Sequence, residues 1–209
     1  MNILNKFKDL LVETFSDNKK LIIGLYILFI VFFIAAWFFS ADIIRTNFSD
    51  VPVSPNSNAM DASSAMEFFI HNELGGILTY VSSIFFAIPA FLLLAYNAVN
   101  LGLFGQLFDT ILPNGGIKYI VYLIPHGIFE ITATVLQSVA GILLFLFIWR
   151  FLKAMRSSET QGVSDSFEKT KKVLIQSIIL MIFSTMLLLI AAPIEAYFSV
   201  PFSNLIVGG

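Results

Sequence analysis

Residues 21–39 form a nearly unbroken apolar run of about 20 residues, the length an α-helix needs to cross a hydrocarbon core. Lipid offers backbone amides no water, so such a run has to be helical and commits the chain to a bilayer. The rest of the sequence agrees, because 57% of its 209 residues are hydrophobic and only 12% are charged, whereas soluble domains carry roughly 25% charged residues. The run exceeds the apolar region of a secretory signal and further apolar runs follow, so it reads as an uncleaved signal anchor. The chain has no cysteine, which excludes disulfides, thiolate metal sites and a cysteine nucleophile.

The charges set the expected topology. All but Arg45 and Lys118 of the 12 lysines and arginines fall within residues 6–20 and 150–172, and such clusters mark the cytoplasmic side. The second cluster is read as a topology and headgroup-contacting element, not as a nucleic-acid site. Residues 2–16 place Ile3, Phe7, Leu10, Leu11 and Phe15 opposite Lys6, Lys8, Asp9 and Glu13, the pattern of an amphipathic helix. Such a helix lies on the cytoplasmic surface or packs beneath the bundle, and Ser16-Asp17-Asn18 is read as its end. The expected division is 1–18 as this helix and 19–209 as one transmembrane domain. The polar stretch 40–67 is expected outside. Within it, Asn47-Phe48-Ser49 fits a glycosylation acceptor, a triplet that also arises by chance.

A second apolar run, 74–96, contains Pro89 and reads as a kinked helix. The first span runs outward, the second returns inward and the basic 150–172 loop must also lie inside, so one net outward crossing falls between 97 and 125, assigned to 97–112, with 117–124 lying along the outer surface. A broken or re-entrant pair of half-helices is the alternative. Pro125 suits the first turn of a helix over 125–152, and 172–193 is the last span. The expected fold class is therefore all-α, an integral membrane helical bundle of about five transmembrane helices at 21–40, 74–96, 97–112, 125–152 and 172–193. The expected location is the cell membrane, multi-pass, with the amino terminus cytoplasmic and the carboxyl terminus outside. The apolar tail over 197–207 is expected to fold back on the outer face.

The most unusual chemistry sits in Ile124-Pro125-His126-Gly127-Ile128-Phe129-Glu130. Glu130 lies about 30 Å of helix before Arg150, and Glu195 about 35 Å after Lys172, so both carboxylates reach one level near the outer interface. His71, Asn72 and Glu73 are expected at the same level. His126, Glu130, Thr134, Gln137 and Gly141 share one helix face, which should turn toward protein because a charge facing lipid is costly. Gln176, Ser177, Ser184 and Thr185 are the expected partners. This stripe fits a structural hydrogen-bond seam, a proton or ion relay, or a two-ligand metal site completed by Glu195 or His71. No phosphate loop, nucleophile elbow or dinucleotide fingerprint is present, and no cofactor is implied.

The segment Leu123-Ile124-Pro125-His126-Gly127-Ile128-Phe129-Glu130 resembles the Leu-Pro-His-Gly-Ile-x-Glu signature of the stage II sporulation protein M family of polytopic membrane proteins. Ile190-Ala191-Ala192-Pro193-Ile194-Glu195-Ala196-Tyr197 is similar to that family's closing pattern, and His71-Asn72 and Tyr96-Asn97 resemble two further positions. The resemblance assigns the signature role to His126, Glu130 and Glu195. It also implies a membrane scaffold for peptidoglycan hydrolases in spore formers, while relatives in other cells have an unsettled role.

The function expected from these readings is a non-enzymatic scaffold that positions envelope-remodelling partners, in contact with the lipid bilayer. The alternative is a transporter or channel subunit with a polar pathway lined by His126, Glu130 and Glu195, and the third reading is an intramembrane metal-dependent enzyme. Asn97, Thr134 and Gln137 join His71, Asn72 and Glu73 as accessory candidates. Partner identity and oligomeric state are not encoded legibly.

Overall fold

The computed structural model describes residues 3–48, 62–157 and 162–208. Ser49 of the candidate glycosylation triplet and most of the polar stretch that follows lie outside these residues. The described chain is all helical, in the order α1 (Ile3–Phe39), α2 (Ala41–Phe48), α3 (Ala62–Ser82), α4 (Ile88–Ile111), α5 (Gly115–Met155), α6 (Val163–Ile194), a π-helical turn (Glu195–Ser199) and α7 (Val200–Val207). Among the described residues, four helical segments are long and apolar enough to cross a membrane: Phe7–Phe39, Ile88–Ile111, Gly115–Met155 and Val163–Val207.

α5 is the axis of the bundle. Every residue from 133 to 144 is buried, and α6, α4, α3 and α1 all pack against it. The core repeats at helical spacing on each partner: Ile22, Leu25 and Phe29 of α1, Ala90, Leu94 and Ala98 of α4, and Leu180 of α6 close on Val135, Leu136, Val139 and Leu143. In lipid such packing rests on close van der Waals contact between surfaces, which favours small residues at the tightest crossings. Gly102 of α4 is one of these, since a methyl group there would run into the Phe33 carbonyl and the Ala36 side chain of α1.

Several expected boundaries move. The amphipathic segment does not end at Ser16-Asp17-Asn18, because Thr14 Oγ donates to the Leu10 carbonyl and Asn18 Nδ2 to the Thr14 carbonyl. These polar side chains bond back along the helix, so α1 continues to Phe39 and the boundary between 18 and 19 falls inside one helix. Lys172 ties that segment to α6 through Glu13 at 2.7 Å and Asp17 at 2.8 Å. This places the two basic clusters together at one end of the bundle, the basic end.

The expected kinked helix 74–96 is two helices. α3 already begins at Ala62, the chain turns at 83–87, and Pro89 stands in the first turn of α4, where its missing N–H leaves no bond unmade. The turn keeps its own backbone bonds, with Ile84 N–H donating to the Val81 carbonyl and Phe85 N–H to the Ser82 carbonyl. Ser83 and Ala90, on the two arms, both face Gly141 of α5, about 14 Å of helix short of Arg150. α3 and α4 thus form a hairpin whose tip, with Phe85 and Phe86 exposed, stops inside the bundle's length. Residues 117–124 do not lie along a surface either: they are the first turns of α5, with Pro125 inside the helix. Tyr119 anchors them by donating to the Leu101 carbonyl at 2.9 Å. The tail folds back as α7, where Ser203 Oγ donates to the Lys118 carbonyl at 3.0 Å.

Gly102→Ala is expected to destabilise the bundle by about 1–3 kcal/mol through overpacking, read as lowered resistance to unfolding in detergent. Gly24→Ala, inside α1 where added bulk meets nothing, is expected to cost no stability and to gain up to about 1 kcal/mol from helix propensity.

Candidate metal centre

Away from the basic end, α5 presents His126 and Glu130 one helical turn apart, and the π-helical turn presents Glu195 and Ser199 toward them. Pro193 removes a backbone donor just before that turn, and π-turns inside α-helices recur at functional sites. His126 Nε2 lies 3.8 Å from Glu130 Oε2 and 4.0 Å from Glu195 Oε1. One ligand atom from each of the three groups falls within 4.8 Å of the others. His126 is 2% exposed, and both carboxylates are 16% exposed.

Hydrogen bonding decides how the imidazole is presented. Ser199 Oγ lies 2.8 Å from His126 Nδ1 and 3.2 Å from the Ile194 carbonyl, so with its hydrogen on Ile194 it accepts from an Nδ1–H. With the proton on Nδ1, the Nε2 lone pair points at two carboxylates. Tyr122 donates to Glu195 Oε1 at 3.1 Å and sets its ring edge-on to the imidazole with centroids 5.0 Å apart. The Asn72 side chain hydrogen-bonds Glu130. Among the described residues no lysine or arginine pairs with either carboxylate, since the salt bridges of Lys169, Lys171 and Lys172 all lie at the basic end.

Three acceptor groups that converge without a cationic side chain are a candidate ligand set for a divalent cation. Nitrogen and oxygen ligands about 2.0–2.2 Å from a zinc-like ion stand roughly 3.3 Å from one another, so the gaps of 3.8 and 4.0 Å close with small side-chain movements. Ser199, Tyr122 and Asn72 supply the outer hydrogen bonds that hold such ligands in place. A zinc-like ion held by these three residues would keep a coordination position open, the pattern of catalytic rather than structural sites. The expectation of a non-enzymatic chain is overturned by this convergence.

The cluster opens onto a cavity of about 390 Å³ lined by Glu130 and Glu195, with His71, Asn72, Asn97 and Asn100 among its polar walls and Phe68 and Phe104 among its apolar ones. A larger cavity of about 620 Å³, between α1 and α5, is lined by Phe29, Phe33, Leu123 and Ile128 and contains neither histidine nor carboxylate; the chemistry belongs to the smaller one.

The accessory candidates divide. Asn72 joins the cluster and His71 lines the cavity as an exposed side chain, whereas Asn97 lines it with its amide donated to the Leu93 carbonyl. Glu73 and Gln137 meet each other deeper in the bundle, with Thr134 lining a small cavity beside Gln137. On α6, Thr185 reaches Glu73, Ser177 bonds Tyr80 and the Ala140 carbonyl, Gln176 bonds Asp17, and Ser184 turns back to its own helix. Tyr122 and Ser199 escaped sequence reasoning. Their signal was spacing, four residues before His126 and four after Glu195.

The sequence profile of the stage II sporulation protein M family matches residues 25–200. The chain belongs to this family. The match covers α5 with His126 and Glu130, and the π-helical turn with Glu195 and Ser199. No curated protein and no solved structure matches the chain. Within this family member, Ser199→Ala removes the acceptor for His126 Nδ1 and is expected to weaken divalent-cation binding by about 10–100-fold, measured by competition against a chelator of known affinity.

Proposed function

We propose that this stage II sporulation protein M family member is a metal-dependent membrane hydrolase whose substrate reaches His126, Glu130 and Glu195 through the adjoining cavity. The observation that carries the reading is the arrangement of three acceptors around one point, open on the cavity side. A divalent cation held there supplies Lewis acidity and an activated water. The protein's own groups do the positioning: Ser199 keeps the Nε2 lone pair of His126 inward, Tyr122 holds Glu195, and Asn72 holds Glu130. Asn100 lines the same cavity as the two carboxylates. A scaffold role gives no reason for such a convergence.

A second reading is transport of a cation along a polar pathway lined by the same three residues. It is favoured by a second, smaller cavity of about 140 Å³ that shares the lining residues His71, Asn72, Tyr96 and Asn97 with the cavity beside the cluster and is also lined by Gln137. In either case the proposed orientation puts the basic end in the cytoplasm and the cluster near the outer interface, following the distribution of lysine and arginine.

Protein purified from membranes and washed free of loose ions is expected to retain stoichiometric metal, lost in His126→Ala and Glu195→Ala at unchanged helical content. Metal-free wild type would overturn both readings. Cation flux into proteoliposomes that the same substitutions abolish would replace hydrolysis with transport. The orientation has its own test, since the native chain contains no cysteine. Asn47→Cys and Ser164→Cys are expected to react with an impermeant thiol reagent from opposite sides of the membrane.

A further inference from the structure

Two contacts fasten α1 to α5, and between them the helices part. Nearer the basic end, the Tyr26 hydroxyl donates to Thr132 Oγ at 2.6 Å. Farther from it, the rings of Trp37 and Tyr119 meet edge to face with centroids 5.8 Å apart. The interval from Tyr26 to Trp37 is about 16 Å of helix, and the cavity of about 620 Å³ fills it. Its floor is the buried Phe29 and Leu123, together with Gly127, which carries no side chain. Its rims are exposed, Ile30 on α1 and Ile128 on α5 among them. It shares no lining residue with the cavity beside the metal cluster. Because its α1 wall lies inside the apolar run 21–39, this groove opens sideways to hydrocarbon.

The walls and the dimensions select the occupant. Apolar cavities stay dry, and the hydroxyl hydrogens are already used, Tyr26 on Thr132 and Thr132 on the Ile128 carbonyl at 2.6 Å. A neighbouring helix is too thick. About 620 Å³ over about 16 Å leaves a mean cross-section of about 39 Å², against about 79 Å² for a cylinder 10 Å wide, the least that a helix with its side chains occupies. A hydrocarbon chain is slimmer, and about 16 Å is close to half of a hydrocarbon core about 30 Å thick. Left empty, the walls would forfeit their dispersion contacts on that side, while the two fastenings keep the helices from closing together. We propose that the groove between α1 and α5 holds one acyl chain of a membrane phospholipid, drawn from the leaflet opposite the basic end, as a resident part of the bundle. The chain completes the seam between α1 and α5, so lipid helps to hold the first helix on the bundle axis. The site is independent of the proposed hydrolysis and of any metal.

The test uses the full chain in phosphatidylcholine vesicles that contain a small fraction of phosphatidylcholine with a photoreactive diazirine in one acyl chain. Native mass spectrometry after extraction into mild detergent is expected to show one phosphatidylcholine retained per chain. After illumination, adducts are expected to be several-fold enriched on peptides covering 26–34 and 123–132 over the exposed α6 face at Ile178 and Ile182. Ile30→Trp combined with Ile128→Trp fills the groove and should reduce retained lipid several-fold, whereas Ile182→Trp on α6 should leave it unchanged. No retained lipid, with adducts spread evenly over the lipid-facing helices, would make the groove ordinary bilayer contact and overturn the proposal. Lipid retained equally by the double variant would overturn it by placing the site elsewhere. A wild-type dimer that the double variant disrupts would assign the groove to a second copy and equally overturn it. The wild-type adduct map carries the assignment even if the double variant folds poorly.

Discussion

The complete burial of α5 over residues 133–144 is the constraint from which the rest of the bundle follows. A helix with no free face needs neighbours all around it, and in lipid those neighbours gain little from apolarity alone, so they must approach closely or exchange hydrogen bonds. Both occur. Gly141 admits the α3–α4 hairpin tip, Ala140 offers its carbonyl to Ser177 of α6, and Tyr26 of α1 donates to Thr132 at 2.6 Å. Where the burial loosens, toward His126 and Glu130, the same helix borders a cavity instead of a packed wall. The chemistry is thus confined to one end of α5 by how tightly the middle is occupied.

The polar groups follow the same economy. Hydrocarbon gives an unsatisfied donor or acceptor no alternative partner, and every described buried side-chain nitrogen or oxygen has one within the protein. The cluster departs from this pattern in kind, because its groups are satisfied on their outer sides by Ser199, Tyr122 and Asn72 while their inner faces are all acceptors. Outer satisfaction with inner convergence is what a ligand set requires and a seam that merely pins helices together does not.

Membership of the bilayer, the family and the meeting of His126, Glu130 and Glu195 were legible in the sequence, because apolar length, a local signature and helix rise carry over directly into structure. The boundaries were harder. Glu67, His71 and Glu73 interrupt the hydropathy of α3, so its start was placed at 74 although it begins at Ala62. The interruption vanishes in three dimensions because Asn72 and Glu73 find partners on other helices. Pro125 was taken as a helix start because proline is common there, whereas here it sits inside α5. Ser199, four residues after Glu195 and inside the π-helical turn, shares that carboxylate's face by spacing alone and was overlooked.

That turn sets the phase of everything beyond it. A π-turn closes its hydrogen bonds one residue later than an α-turn, so the chain from Glu195 to Ser199 carries a register offset that an uninterrupted helix would lack. α7, which docks against Lys118 through Ser203, inherits that offset. The carboxyl-terminal segment and the imidazole partner are therefore locked to a single count of residues. Removing one would rotate Ser199 off His126 and turn Ser203 from its seat in the same step, so length here is as much a part of the site as side-chain identity.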